Sequence, residues 1–349
     1  MHNIFKTNTS PLIIAGPCSI ESETQLRQIA TLLPSEKVQW IRGGVWKPRT
    51  RPGGFEGYGE QALQWIAQVK HTLPNVRFCC EVAHPEHVEL CLKYGIDGLW
   101  IGSRTVGNPF SINEICSALK GTELPILVKN PMNPDVKLWI GAIERVMQAG
   151  IRSIAAVHRG FSLFNNMGYR NAPLWEIPIE LRRLVPDHPI ICAPSHIGGR
   201  RELIPNLMQT AIDLHFDGLM VEVHPSPNEA LTDNEQQLTP TEFITLLSQL
   251  RIHQHEGSKP TELKLLRQQI DIIDKQLMDC LTQRFNISRQ IAQVKKENNM
   301  AVFQPKRWEE VLERKLTLAR EQGLNPEFIK EIYEKIHAES VKVQIDDKQ

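Results

Sequence analysis

The stretch "PLIIAGPCS" at residues 11–19 is a short apolar run that ends at a glycine and a proline and leads into Cys18. Seven further apolar runs follow between residues 38 and 223, among them "RFCCEV", "GLWIGS", "PILVKN" and "GLMVEV". Continuous apolar runs bounded by turn residues are typical of parallel strands that are buried on both faces. Segments with helical spacing separate the runs, so the sequence predicts an α/β fold.

Eight strand candidates that alternate with helices over about 225 residues favour a (β/α)8 TIM barrel, with a doubly wound open sheet as the alternative. A reactive or charged residue stands where each run ends. In chain order these residues are Cys18, Arg42, Glu81, Arg104, Lys129, Arg159, His196 and Glu222. Active sites of such barrels lie at the carboxyl ends of the strands, so we expect these side chains to meet at one mouth.

The pattern changes after the last predicted barrel helix. We expect a barrel domain over 1–253, a polar linker over 254–260 and an all-α domain of three helices over 261–349. Apolar residues recur every three or four positions from Leu263 to Leu281, which predicts one long helix with a single apolar stripe. Three helices make a thin core, so we expect this domain to form a homodimeric helical bundle.

Composition excludes several classes of protein. The chain has 40 Lys and Arg against 40 Asp and Glu, which argues against a nucleic-acid partner or a charged membrane surface. No apolar run approaches the roughly 20 residues of a membrane span, so we expect no membrane partner. The 7 Cys form no zinc-finger spacing, and with no secretion signal at the start they indicate a reduced, cytoplasmic protein.

Four residues follow the first, seventh and eighth predicted strands, which are neighbours in a closed barrel: Cys18, His196, Glu222 and Asp233. A thiol, an imidazole and two carboxylates form a mixed donor set that suits Mn, Fe, Co or Zn better than Mg or Ca. The cations Arg42, Lys47, Arg104, Lys129 and Arg159 follow the second to sixth strands. Cations that converge in this way repel one another unless anions bind, so we expect anionic substrates beside the metal.

The motifs "AGPCSIES", "IRGGVWKPRT", "IGSR", "HRGF", "APSHIGGRR" and "VEVHPSPNEALTDNEQQLTP" resemble, in order, those of type I-beta DAHP (3-deoxy-D-arabino-heptulosonate 7-phosphate) synthases. The resemblance implies condensation of phosphoenolpyruvate with erythrose 4-phosphate, an aldol-like reaction assisted by a divalent metal. It assigns the metal to Cys18, His196, Glu222 and Asp233, and phosphoenolpyruvate to Arg42, Lys47, Arg104, Lys129 and Arg159. It assigns erythrose 4-phosphate to Lys47, Pro48, Arg49 and Thr50.

The competing family on the same barrel is 3-deoxy-D-manno-octulosonate 8-phosphate synthase, whose sugar motif has Asn-Arg-Ser after Lys-Ala. "KPRT" at residues 47–50 resembles the DAHP motif instead. Two loops depart from the DAHP pattern, "RTRPGGFEG" at 49–57 and "TDNEQQLT" at 232–239. Glu81 is a candidate for orienting the attacking water, with a structural ion pair as the alternative role.

The tail resembles the all-helical chorismate mutases in "LRQQIDIIDKQLMDCLTQRFNISRQIAQVKK", "KRWEEVL" and "IYEKIHAESVKVQ". The resemblance implies a cofactor-free rearrangement of chorismate to prephenate. It assigns substrate contacts to Arg267, Arg284, Lys295, Gln304, Arg307, Ser340 and Gln344, with Arg267 serving the partner's pocket in the family's intertwined dimer. The family commonly has Asp three residues before the third arginine and Glu directly after it, where this chain has Gln304 and Trp308. Gln304 can accept a hydrogen bond from the substrate hydroxyl, and Trp308 cannot.

Taken together, the resemblances imply a bifunctional enzyme of the shikimate pathway, with phosphoenolpyruvate, erythrose 4-phosphate and chorismate as substrates. The alternative is a synthase whose helical tail serves for dimerisation and ligand sensing, with little mutase activity. We also expect feedback, in which prephenate bound to the tail inhibits the synthase.

Overall fold

The computed structural model describes residues 3–7, 10–48, 53–73, 75–164, 168–252 and 261–346. The chain divides into two compact units, Met1–His253 and Gln254–Gln349. The predicted linker at 254–260 lies outside the described residues. Each unit is therefore described by itself.

The first unit is a closed barrel of eight parallel strands in the order of the sequence, which confirms the predicted fold. The strands are β1 Leu12–Gly16, β2 Trp40–Arg42, β3 Arg77–Val82, β4 Gly98–Ile101, β5 Ile126–Lys129, β6 Ile154–His158, β7 Ile190–Cys192 and β8 Gly218–Glu222. The open-sheet alternative is wrong because β1 pairs with β8 over five residues, from Leu12 opposite Gly218 to Gly16 opposite Glu222.

Ten helices described in this unit follow the strands. They are α1 Glu23–Leu32, α2 Glu60–Thr72, α3 Pro85–Lys93, α4 Ser103–Val106, α5 Pro109–Leu119, α6 Val136–Gln148, α7 Glu176–Leu184, α8 Pro194–Gly198, α9 Ile204–Asp213 and α10 Pro240–Gln249. Local sequence sets their starts. Ser22 caps α1 by accepting from the backbone of Gln25, and Thr239 forms a capping box with Glu242 at α10.

The second unit contains three helices, α11 Thr261–Glu297, α12 Pro305–Glu321 and α13 Pro326–Asp346. Pro305 begins α12, as its fixed backbone angle favours, and the Asn325 side chain accepts from the backbone of Glu327 at 3.0 Å at the start of α13. Among the described residues of this unit, the buried apolar side chains are those of Ala292 and Ala319. A single copy therefore has a very small apolar core.

The apolar stripe predicted on α11 is exposed in the single chain. Leu266, Ile270 and Ile273 are 50%, 56% and 60% exposed. Exposed apolar side chains in one continuous row are unusual for a helix of a stable monomer. No helix of the described chain combines the length and the apolar character needed to cross a membrane.

Candidate active sites

The closure of the barrel brings three predicted metal ligands together. Cys18 follows β1, Glu222 ends β8, and Asp233 lies in the loop that follows. One donor atom from each lies within 4.8 Å of the others. Asp233 has a φ of +49°, a left-handed conformation that few residues other than glycine adopt, which is a feature typical of functional sites.

The distances within this cluster are short. Cys18 Sγ lies 3.2 Å from Asp233 Oδ2 and 2.9 Å from Lys47 Nζ. The fourth predicted ligand, His196, lies on α8 at the edge of the cluster, with Nε2 at 3.6 Å from Glu222 Oε1. His196 therefore contacts one ligand of the set without joining the three-residue cluster.

The donor set fits a divalent metal. Burial and the Glu222 carboxylate raise the pKa of the Cys18 thiol to about 12, so it needs a bound cation to ionise near neutral pH. Burial and the surrounding cations lower the pKa of His196 well below its usual value, which keeps the imidazole in its metal-binding neutral form. Glu222 Oε1 is buried and accepts no hydrogen bond from any described residue, although Arg42 lies 3.2 Å away.

A glycine allows the second strand's loop to approach the cluster. A Cβ on Gly44 would lie 2.7 Å from the carbonyl oxygen of Cys18 and 3.0 Å from the Lys47 side chain. Gly44 also donates its backbone N–H to that carbonyl at 3.0 Å. Because no side chain intervenes, Lys47 Nζ reaches both the carbonyl oxygen and the thiol of Cys18.

The predicted anion-binding residues meet around a cavity of about 150 Å³. Its lining includes Lys47, Pro48, Glu81, Arg104, Lys129, Arg159, Arg170, His196 and Asp233. Arg42 is fully buried near this cavity, and its Nε and Nη1 donate no hydrogen bond to any described residue. A buried guanidinium with spare donors indicates a site that an anion would complete.

Arg49 and Thr50, the other half of the "KPRT" motif, lie outside the described residues.

Trp100 is a site residue that sequence reasoning missed. The Arg42 guanidinium lies 4.8 Å and the Lys129 ammonium 5.1 Å from the centre of its rings. Its Nε1 donates to Glu81 Oε2 at 2.7 Å. The indole therefore holds two cations and the proposed water-orienting carboxylate in place. The apolar run "GLWIGS" indicated a buried strand but not which way the indole points.

Burial, with a smaller contribution from neighbouring cations, lowers the pKa values of two cations of the cavity. Burial lowers the pKa of Lys129 to about 8, with Glu81 opposing this effect and Arg42 adding to it. Burial and the neighbouring Arg170 and Arg104 also lower the pKa of Arg159. The Arg159 guanidinium is fixed by a hydrogen bond of 2.6 Å to the Asn171 side chain. A dianion or trianion in this cavity would relieve the repulsion.

Arg170 is the second residue that was missed. It lies in the loop after β6, forms an ion pair of 3.0 Å with Asp233, and hydrogen-bonds Gln236. Gln236 in turn donates to Glu222, so one short chain of contacts links Arg170 to two predicted metal ligands. Burial alone would raise the pKa of Asp233, but Arg170 and Lys47 hold it below its usual value. A larger cavity of about 500 Å³ lies beside Arg170 and Asp233.

In the helical unit, the structure pairs four predicted mutase residues. Arg284 on α11 hydrogen-bonds Ser340 on α13, and Lys295 Nζ donates to Gln344 Oε1 at 3.2 Å. Ser340 and Gln344 are buried one helical turn apart on the same face of α13. The four side chains therefore form a polar strip between α11 and α13.

The other predicted mutase residues lie around or away from this strip. Gln304 is the N-cap of α12, and its side chain makes no capping hydrogen bond. Arg307 is exposed and pairs with Glu310 at 3.1 Å. Arg267 is exposed near the start of α11. In one copy, neither Arg267 nor Arg307 is shown against the strip.

Comparison with known families gives two matches that divide the chain. Residues 2–256 match the model of the DAHP synthetase I family, and residues 266–345 match that of chorismate mutase type II. The two matched segments do not overlap, and each covers the candidate site described in its unit.

Individual relatives agree with the first match. A phospho-2-dehydro-3-deoxyheptonate aldolase of Thermotoga maritima is 30% identical over 240 residues, which cover 68% of each chain. The crystal structure of a DAHP synthase from Thermotoga maritima superposes with a TM-score of 0.61 at 29% identity, covering 68% of this chain and 67% of that one. A 2-dehydro-3-deoxyphosphooctonate aldolase of Francisella tularensis is 26% identical and covers 72% of this chain and 94% of its own length.

Proposed function

Because this chain belongs to the DAHP synthetase I family and carries a chorismate mutase type II domain, we propose that its barrel joins phosphoenolpyruvate to erythrose 4-phosphate beside a divalent metal. The chain is a bifunctional shikimate-pathway enzyme with DAHP synthase and chorismate mutase activities. The single observation that carries the barrel proposal is the convergence of Cys18, Glu222 and Asp233 next to the cation-lined cavity.

Cys18, Glu222 and Asp233 would hold the metal, with His196 as the fourth ligand after a small movement of its ring towards the cluster. The chemistry that a divalent ion supplies in such a site is Lewis-acid polarisation of an aldehyde oxygen. Lys47 and Arg170 contact Cys18 and Asp233 through the lone pairs that a metal would use, so both cations would shift towards substrate anions. Mn, Co, Fe and Zn all suit this donor set.

Phosphoenolpyruvate carries a phosphate and a carboxylate, and both anionic groups would lie among the cations that line the cavity. Lys129, Arg159 and Arg104, which line the cavity, would bind these groups, with the buried Arg42 adding its charge from beside Trp100. Glu81 borders the same cavity and would orient the water that adds to the substrate. Charges held in place before the reaction stabilise the developing charge without costly rearrangement.

Erythrose 4-phosphate would enter beside Lys47 and Pro48, which line the same cavity. Lys47 would then contact both substrates, since its ammonium also reaches Cys18. We propose that Arg49 and Thr50 bind the sugar phosphate, as the family resemblance of "KPRT" implies. The choice of a four-carbon sugar phosphate as the second substrate rests on that motif.

The affinity for phosphoenolpyruvate should depend on the charge of Lys129. The pKa of this ammonium is about 8, so it is charged below that pH and neutral above it. The second pKa of a phosphate monoester is about 6, so the phosphate of phosphoenolpyruvate is mostly ionised at pH 7 and changes little above it. We expect its Kd, measured by calorimetry on metal-free protein, to be constant near pH 7 and to rise up to about tenfold per pH unit above pH 8.

The matched variant is Lys129→Arg, whose guanidinium stays charged across the range. Its Kd for phosphoenolpyruvate should be nearly independent of pH up to pH 9.5, even if it is weaker at pH 7. A wild-type Kd that does not change between pH 7 and 9.5 would show that the charge of Lys129 is not needed for binding.

In the helical unit, Arg284, Lys295, Ser340 and Gln344 would bind chorismate. Lys295 and Gln344 would contact the ether oxygen whose bond breaks, and Arg284 with Ser340 would hold a carboxylate. Arg307 would bind the second carboxylate, and Gln304 would lie beside the ring hydroxyl. Charge that develops on the ether oxygen favours a cationic donor beside it, which is the role assigned to Lys295.

We propose that two copies associate through α11. Its row of exposed apolar residues continues over several turns, and the core of one copy is too small to account for a stable unit. Pairing of two such helices would cover the row and bring Arg267 of one copy towards the site of the other. The proposed dimer thus completes both the core and the binding site.

Prephenate should inhibit the synthase of the full chain. The helical unit binds the product of a later step, so occupancy there reports downstream supply. We expect the synthase rate to fall about fivefold or more at saturating prephenate, a coupling typical of allosteric enzymes. The measurement is the initial rate of phosphoenolpyruvate consumption across a prephenate titration.

The Arg284→Ala protein, which lacks the proposed carboxylate contact, should keep its synthase rate at the same prephenate concentrations. Equal rates for the wild type with and without prephenate would exclude this feedback.

A further inference from the structure

The proposed chorismate site has several cationic donors and few free acceptors. Gln344 Oε1 accepts from Lys295, and Ser340 Oγ is engaged by Arg284 and by the carbonyl of Ile336. Trp308 offers an indole N–H but no acceptor. A substrate hydroxyl that enters this site must donate to some group, because an unpartnered buried donor costs about 1–3 kcal/mol.

His337 is a residue on α13 that can accept this hydrogen bond. It lies three residues before Ser340 and seven before Gln344, so all three share one face of the helix. Its ring stacks on Trp308, with the ring centres 4.0 Å apart and the planes inclined by 13°. The centre of the Phe303 ring is 5.8 Å from the centre of the His337 ring, with the planes inclined by 53°. Two aromatic contacts thus fix the orientation of the imidazole.

The Nε2 atom of His337 is buried and makes no hydrogen bond with any described residue. Buried polar atoms in folded proteins are nearly always paired, so an unpaired one in a candidate site indicates a ligand contact. Burial, together with Arg284 and Lys295, lowers the pKa of His337. The ring is therefore neutral at neutral pH, and a neutral imidazole carries one acceptor nitrogen.

We propose that His337 is a further substrate-binding residue of the mutase site, whose Nε2 accepts a hydrogen bond from the ring hydroxyl of chorismate. His337 then accepts the hydrogen bond that a carboxylate at position 308 would accept, while the Trp308 ring stacks against its imidazole. This inference rests on the proposed placement of chorismate among Arg284, Lys295, Ser340 and Gln344. It competes with the simpler assignment of the hydroxyl to Gln304 alone.

The test combines variants of the protein with variants of the substrate, using the full chain. His337→Phe keeps a flat ring against Trp308 but removes the acceptor nitrogen. Gln304→Met keeps the length of the side chain but removes the amide oxygen, and the position has no capping bond to lose. Each protein is assayed with chorismate and with an analogue in which hydrogen replaces the ring hydroxyl.

We expect His337→Phe to lower kcat/KM for chorismate about tenfold and to leave kcat/KM for the analogue unchanged within about twofold. A loss of the same size on both substrates would mean that His337 only supports the helix packing, and would overturn the inference. A loss specific for the hydroxyl in Gln304→Met but absent in His337→Phe would overturn it as well. If the wild type makes no prephenate, the proposed site itself fails, which is a different result from an active wild type that His337→Phe leaves unchanged.

Discussion

The Cys18→Ala protein is expected to lose at least about 100-fold in affinity for a divalent metal and about 1000-fold in synthase turnover, while its mutase rate stays at the wild-type value. The thiol is one of three donors that lie within 4.8 Å of one another, and no other thiol of the described chain joins that cluster. Alanine leaves two carboxylates and a more distant imidazole, which bind such metals far less tightly. Metal affinity is measured by titration, and synthase turnover and the mutase rate are measured in separate assays.

The matched control is Cys116→Ala. This thiol is also buried, but it lies on α5 in the outer layer of helices. Its loss should cost a little packing energy and leave metal affinity and both rates near the wild type. If Cys18→Ala kept full synthase turnover, or if Cys116→Ala lost as much as Cys18→Ala, the assigned metal site would be wrong.

The Lys295→Met protein is expected to lose about 100- to 1000-fold in mutase kcat, with no change in synthase turnover. Lys295 reaches across to α13, where its Nζ donates to Gln344 Oε1 at 3.2 Å, and it also donates to the carbonyl of Val302 at 2.5 Å. Methionine keeps most of the apolar stem and removes the charge that would stabilise the breaking ether bond. The measurement is single-turnover conversion of chorismate to prephenate.

Lys296→Met is the control for this variant, because Lys296 is the next residue of α11 and is exposed. It should keep the wild-type mutase rate. A Lys295→Met protein with more than about a tenth of the wild-type kcat would exclude Lys295 as the residue that stabilises the transition state.

The sequence predicted the barrel well because a parallel strand buried on both faces leaves a clear apolar run. Cys18 and Glu222 could be paired in advance, since β1 and β8 become neighbours when a barrel closes. The start of α12 at Pro305 and the cap at Asn325 are likewise set by the local sequence. In each case, the feature is set either by residues close together in the sequence or by the order of strands in the barrel.

The contacts that the sequence did not predict depend on side-chain direction. Trp100 belongs to the apolar run "GLWIGS", which indicated only a buried strand, yet its indole contacts Arg42, Lys129 and Glu81. Arg170 lies outside the strands and helices, so no periodic pattern indicates that its side chain reaches Asp233. Neither contact leaves a periodic or compositional signal, because it joins residues from distant segments of the chain.

The most direct measurement follows both activities of one full-length preparation through chelation of divalent metal and its re-addition, for the wild type and Cys18→Ala side by side. The account predicts that wild-type synthase turnover disappears on chelation and returns with metal, that Cys18→Ala regains none, and that chorismate conversion stays constant in both proteins throughout. Synthase turnover that persists after complete chelation, or that metal restores equally in Cys18→Ala, would contradict the proposed metal-dependent barrel site.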